Sequence, residues 1–117
     1  MTPLHRLRRV LFVCAQNRSR SATAERVFGK REGLDVRSAG TNRDALVRVS
    51  RPMLDWADII FTMDDEQRRS LERRFPSHPA LPGLICLNIA DDYGFLQPEL
   101  VALLEERVAR HLDGTSA

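Results

Sequence analysis

The sequence is poor in the residues that staple or metallate small proteins, and those absences narrow its chemistry. Only two cysteines occur in 117 residues, Cys14 and Cys86, and neither has a second Cys or His at zinc-ligand spacing. A disulfide scaffold and a structural zinc are therefore not expected, and no metal site is assigned. His5, His78 and His111 are scattered and form no ligand pattern. No apolar run approaches the ~18 residues of a membrane span, so no membrane partner is expected. The run Val10 to Ala15 is too short for the core of a signal peptide, which makes a reducing, cytoplasmic setting the expectation. Lysine is almost missing. Seventeen of the eighteen basic residues are arginine, and against sixteen acidic ones they leave a net charge of only +2. That excess is too small to argue for nucleic acid as a partner, and the arginine clusters at 6–9 and 68–74 read as a charged lead-in and an outward helix face.

What is present is a regular alternation of strand and helix signals. Arg9 to Cys14 is a short apolar run suited to a parallel strand buried on both faces. A helix is expected from Ser21, ending before Gly33, and a second strand over Leu34 to Ser38, broken by Ala39-Gly40-Thr41. Ser50 as a cap and Pro52 in the first turn predict a short helix that delivers Trp56 to the core. Asp58 to Met63 is a third strand, and Asp64 to Phe75 a polar helix with acids at its start and arginines at its end. Leu84 to Ile89 is a fourth strand with Cys86 in the core, and Ala90 to Gln97 a loop. Pro98 opens a last helix with an apolar stripe at Leu100, Leu104, Val108 and Leu112. The expectation is one domain over residues 1–117, with 1–8 a basic lead-in and 114–117 a fraying tail, built as an α/β three-layer sandwich on a four-stranded parallel sheet.

The segment between the first strand and first helix, Cys14-Ala15-Gln16-Asn17-Arg18-Ser19-Arg20-Ser21, carries the candidate chemistry. Spacing alone means little: with this many arginines, one falls six places after a cysteine by chance in roughly three sequences of ten. Position means more. A loop from a strand's carboxyl end to a helix's amino end turns free N–H groups and the helix dipole toward one spot, an anion site on the edge where parallel sheets bind ligands. Positive potential there favours the thiolate of Cys14, and the planar fork of Arg20 suits two oxygens of a tetrahedral anion. Ser21 could donate to that thiolate, and Asn17 tolerates the left-handed backbone of such a cradle. The alternative is that Cys14 is a small buried hydrophobe, where most free cysteines sit; it leaves the following Asn, Ser and Arg residues unexplained.

The run VLFVCAQNRSRSATAE resembles the low-molecular-weight protein tyrosine phosphatase family, whose strand, Cys-x5-Arg-Ser loop and following Ala-Glu it matches position by position. Arg37-Ser38-Ala39-Gly40-Thr41, ADIIFTMD from Ala57 to Asp64, and Ile89-Ala90-Asp91-Asp92-Tyr93 resemble three further segments of that family, so the likeness spans Val10 to about Leu112. The chain is most similar to the short, predicted bacterial branch. It departs from the usual pattern in a shorter Asn42 to Trp56 segment, and in Arg18, Ser19, Ala22 and Asp92 where Ile or Thr, Cys, Pro and Pro are usual.

The resemblance implies a flavodoxin-like fold with the catalytic loop between strand one and helix one. It implies phosphate-monoester hydrolysis without a cofactor, the substrate being phosphotyrosine in a protein or a small phosphate ester, with inorganic phosphate as a competing ligand. Cys14 is the implied nucleophile, Arg20 the anion clamp, and Asp91 or its neighbour Asp92 the general acid. Ala15, Gln16, Asn17, Arg18, Ser19 and Ser21 line the substrate's phosphate, and Tyr93 either flanks its ring or anchors the loop. A monomer is expected. Rival readings are a silent module that binds oxyanions or phosphoproteins, RNA binding through the arginines, and arsenate reduction. The last needs a cysteine relay for which only Cys86 remains.

Overall fold

The computed structural model describes residues 7–113. His5, the expected tail at 114–117 and most of the expected lead-in lie outside the described residues. Within them the order is β1 (Arg8–Cys14), α1 (Arg20–Phe28), β2 (Leu34–Gly40), α2 (Arg51–Trp56), β3 (Ile59–Thr62), α3 (Asp65–Arg74), a short 3-10 turn (Leu81–Gly83), β4 (Ile85–Cys86) and α4 (Pro98–Asp113). The four strands form one parallel sheet in the order β2-β1-β3-β4. This is the expected α/β architecture, with the strand that leads into the Cys14 loop in the interior of the sheet.

The apolar run of β1 explains the layering. Alternate residues of a strand face opposite sides, so Val10, Phe12 and Cys14 enter one cluster with Ala24 and Phe28 of α1 and Leu100, Leu104 and Val108 of α4. Leu11 and Val13 enter the other, with Leu54 of α2 and Leu71 of α3. Phe12 stacks between Phe28 and Phe61, at centroid distances of 5.7 and 5.3 Å. The stripe on the last helix is buried as its spacing requires, although Leu112 only partly.

Several boundaries differ from the sequence reading, each for a local reason. β1 takes in Arg8, because Arg8 pairs with Leu34. α1 stops at Phe28: Gly29 bonds back to the Glu25 carbonyl, and the chain then turns through Gly33 at a φ of 86°. Trp56 is half-buried with the Arg37 guanidinium 4.2 Å from its ring centre, and it is Leu54 that α2 sends into the core. Ser50 makes no side-chain capping bond. β4 is two residues long because Asn88 adopts a φ of 57°, although the Leu87 and Ile89 amides still reach the Thr62 and Met63 carbonyls. Cys86, on this edge strand, is half-exposed, and the expectation of a core thiol is wrong.

β2 also runs further than expected, through Ala39 and Gly40, and this extension shapes the site. A Cβ on Gly40 would lie 2.5 Å from the Ala15 carbonyl oxygen and 2.7 Å from the Ala45 Cβ. The glycine is needed for space, because its φ is not positive. Gly83 has nothing within 4 Å of the same added atom. Gly40→Ala is therefore expected to lose about 1–3 kcal/mol by overpacking against backbone, whereas Gly83→Ala should be close to neutral. Urea denaturation of the two variants checks this; equal stabilities would contradict it.

Candidate active site

The loop after β1 is shaped from outside. The Thr41 amide donates to the Cys14 carbonyl at 3.0 Å, the Asn42 amide to the Ala15 carbonyl at 3.0 Å, and the Leu46 amide to the Gln16 carbonyl at 3.0 Å. In a trans peptide the N–H points opposite to the C=O. With the carbonyls of 14, 15 and 16 tied outward, the amides of Ala15, Gln16 and Asn17 must face into the loop. One is seen doing so: the Asn17 N–H donates to Cys14 Sγ at 3.2 Å. Asn17 holds the left-handed backbone expected of it, with a φ of 59°.

Around the sulfur lies a buried polar network. Ser21 Oγ is 3.0 Å from Cys14 Sγ and 3.3 Å from the Ala39 carbonyl. Asn17 Nδ2 donates to Ser21 Oγ and to Ser38 Oγ, both at 2.9 Å. Ser38 Oγ in turn donates to Glu25. Cys14 is thus neither in an inert turn nor packed solely among apolar groups, as a structural thiol would be.

Arg20 is 2% exposed, a charge that needs compensation. Its Nη1 donates to Asp64 Oδ2 and to the Ile89 carbonyl, each at 2.9 Å. Nε is buried with no hydrogen-bond partner and lies 3.6 Å from Asp91 Oδ1. One edge of the guanidinium is therefore committed to holding it, and the edge carrying Nε remains for an anion. Asp64 also caps α3, accepting from the Glu66 amide at 2.9 Å while Gln67 Oε1 accepts from the Asp64 amide at 2.8 Å. Burial pushes the Asp64 carboxyl upward, but the hydrogen bonds from Arg20 and the Glu66 amide and the Arg20 charge outweigh it, leaving it below its usual 3.8.

The remaining expected residues divide. Asp91 reaches Arg20 and its side chain is 64% exposed, whereas Asp92 is simply exposed. Tyr93 is half-buried and packs against the α1 and α4 core. Ala15, Gln16 and Ser19 are half-buried in the loop. Arg18 is exposed and donates to the Asp44 carbonyl at 3.2 Å, so its guanidinium lies on the rim toward the 42–49 segment. Sequence reasoning assigned no role to Ser38, Glu25, Asp64 or Gln67. The Asp64-x-x-Gln67 spacing is a capping-box signal that could have drawn attention to the turn holding Arg20.

No protein-family profile and no curated protein matches this sequence. Solved structures do match by shape. A Vibrio vulnificus Wzb structure in complex with benzylphosphonate superposes with a TM-score of 0.75 at 18% identity, covering 92% of this chain and 99% of that one. The YwlE arginine phosphatase from Geobacillus stearothermophilus gives 0.73 at 22% identity, covering 92% and 94%. The SP-PTP low molecular weight protein tyrosine phosphatase from Streptococcus pyogenes gives 0.71 at 16% identity, covering 92% of each chain. The chain has the low-molecular-weight protein tyrosine phosphatase fold. In that fold's terms, the Cys14 loop lies in the region joining strand one to helix one, as expected.

Asp64→Asn separates the electrostatic from the capping role. Asparagine still caps a helix but cannot balance the Arg20 charge. Because the folded carboxyl sits below 3.8, its contribution is present above that pH and is lost as pH falls through the folded value. The variant should be less stable than wild type at pH 7, and the difference should shrink below about pH 4. A stability gap that stays constant from pH 7 to pH 3 would refute the ion-pair role.

Proposed function

We propose that this chain is a metal-independent, cysteine-dependent phosphatase acting on phosphate monoesters, with protein phosphotyrosine as the favoured substrate class. The observation that carries the reading is the Cys14 sulfur, held by the Asn17 N–H and Ser21 Oγ at 3.2 and 3.0 Å inside a loop of inward amides. A pure binding site has no use for a thiolate so placed.

The scheme follows from the groups present. A phosphoryl group enters the loop, its equatorial oxygens taken by the amides and by the open edge of Arg20. The Cys14 thiolate attacks phosphorus in line, forming the S–P bond as the P–O bond to the leaving group breaks. Asp91 gives its proton to the departing oxygen. Water then attacks phosphorus, loses a proton to Asp91, and releases phosphate and the thiolate. Ser21 and the Asn17 amide stabilise that thiolate as it leaves. The loop and Arg20 supply the positive field that a metal supplies in other phosphatases, so the scheme requires none.

Asp91 is favoured over Asp92 because only Asp91 lies against Arg20. The similar structures include both tyrosine and arginine phosphatases. The exposed guanidinium of Arg18 on the rim disfavours the cationic leaving group of phosphoarginine and suits a neutral aryl one. The expected location remains the cytoplasm.

Cys14→Ser should abolish turnover of p-nitrophenyl phosphate while phosphate still binds, because a serine hydroxyl is not ionised there; unchanged turnover would refute the mechanism. Asp91→Asn should cost on the order of a hundredfold with phenyl phosphate and much less with the activated nitrophenyl ester. If Asp92→Asn shows that leaving-group dependence instead, the acid is Asp92. If neither variant shows it, Asp91 and Asp92 are both excluded as the acid.

A further inference from the structure

We infer that Glu25, which stands outside the loop, is a positioning residue that sets the direction of the hydrogen bonds leading to the Cys14 sulfur. The inference deepens the phosphatase reading and rests on it only for its bearing on turnover.

The direction follows from counting hydrogens. A carboxylate only accepts, and a serine hydroxyl has one hydrogen to give. Ser38 spends its hydrogen on Glu25, so toward Asn17 it can only accept. Asn17 must therefore turn its Nδ2 to Ser38, at 2.9 Å. The second Nδ2 hydrogen then falls on Ser21 Oγ, also at 2.9 Å. Ser21 has now accepted, and its own hydrogen is left for Cys14 Sγ at 3.0 Å, ahead of the Ala39 carbonyl at 3.3 Å. With the Asn17 N–H at 3.2 Å, the sulfur receives two donors, the environment that suits a thiolate.

The opposite order is the natural competitor. If the Asn17 amide were turned over, Oδ1 would face both serines, and each would spend its hydrogen there. Ser21 would have none for the sulfur, which would have to donate as a thiol. In that order Ser38 has no hydrogen for Glu25, and two acceptors would face each other. The opposite order still links Asn17, Ser21 and Ser38 to one another, and the contact it breaks is the one with the carboxylate.

This role can be told from a simple charge effect, because the signs are opposite. The charged groups about the loop are Glu25 itself, Arg18, and Arg20 with its partners Asp64 and Asp91. Removing a nearby negative charge would by itself favour the thiolate. Losing the ordering of the network would disfavour it.

The test is the pH midpoint of Cys14 alkylation by iodoacetamide, read on the Cys14 peptide by mass spectrometry so that Cys86 does not contribute. Glu25→Ala is expected to raise the midpoint by about one pH unit, about tenfold less thiolate at a pH well below it. In a Ser38→Ala background, Glu25→Ala should add no further rise, because the path is already cut. A midpoint that falls or stays put in Glu25→Ala overturns the inference, as does an undiminished rise in the Ser38→Ala background. Thermal melts check folding. Should Glu25→Ala not fold, Glu25→Gln serves, since glutamine can donate as well as accept: a smaller rise is expected, and no rise or a fall overturns the role. The expected midpoints together with no hydrolysis of aryl phosphates by wild type would leave the ordering intact and refute the phosphatase reading. Full turnover in Glu25→Ala with an unmoved midpoint would refute the ordering alone.

Discussion

Three peptide carbonyls, those of Cys14, Ala15 and Gln16, are turned outward by the amides of Thr41, Asn42 and Leu46, and the candidate site depends on that constraint. A peptide plane cannot send its N–H and its C=O the same way. Fixing the outer face of the loop therefore fixes its inner face, with no side chain spent on the task. The arrangement needs close approach of β2 to the loop, which Gly40 permits by having no Cβ where the Ala15 oxygen lies. It also needs β1 inside the sheet, flanked by β2 and β3, so that neither the strand nor the loop leading from it is free to slide.

Within that frame, the buried charge of Arg20 needs compensation. Its desolvation is offset by Asp64 and the Ile89 carbonyl, groups from two other segments of the chain. The same contacts set the plane of the fork and leave Nε without a hydrogen bond, with Asp91 Oδ1 at 3.6 Å. A buried donor without a hydrogen bond is unfavourable in isolation; under the proposed function it is the place for an anion's oxygen. Asp64 ties this guanidinium to the start of α3, so one carboxylate both caps that helix and holds Arg20 in place.

Much of this was legible in the sequence. The apolar run Val10 to Cys14, the helix signals after Ser21 and the stripe from Leu100 to Val108 led to the parallel sheet, because burial on both faces and helical spacing leave clear patterns in composition. The loop residues were legible from their position between a strand and a helix. What was not legible came from contacts distant in sequence. Nothing near Arg20 announces Asp64, 44 residues away, and nothing near Cys14 announces the contacts of Ser38 with Glu25 and Asn17. The shortening of β4 turned on one left-handed residue, Asn88, and Cys86 is half-exposed on a strand at the edge of the sheet. Trp56 was expected to be delivered to the core by a short helix, yet the only residue of that helix that is fully buried is Leu54.

The claim on which the functional account stands is that Cys14 exchanges a covalent bond with phosphorus. Oxygen-18 exchange between labelled inorganic phosphate and water tests it without knowledge of the substrate, because each reversible formation of the cysteinyl-phosphate expels one phosphate oxygen as water. The account predicts that the wild-type protein washes the label out of phosphate, and that Cys14→Ser, still binding phosphate, does not. Bound phosphate that keeps its label in the wild type, or loses it equally fast in Cys14→Ser, would contradict it.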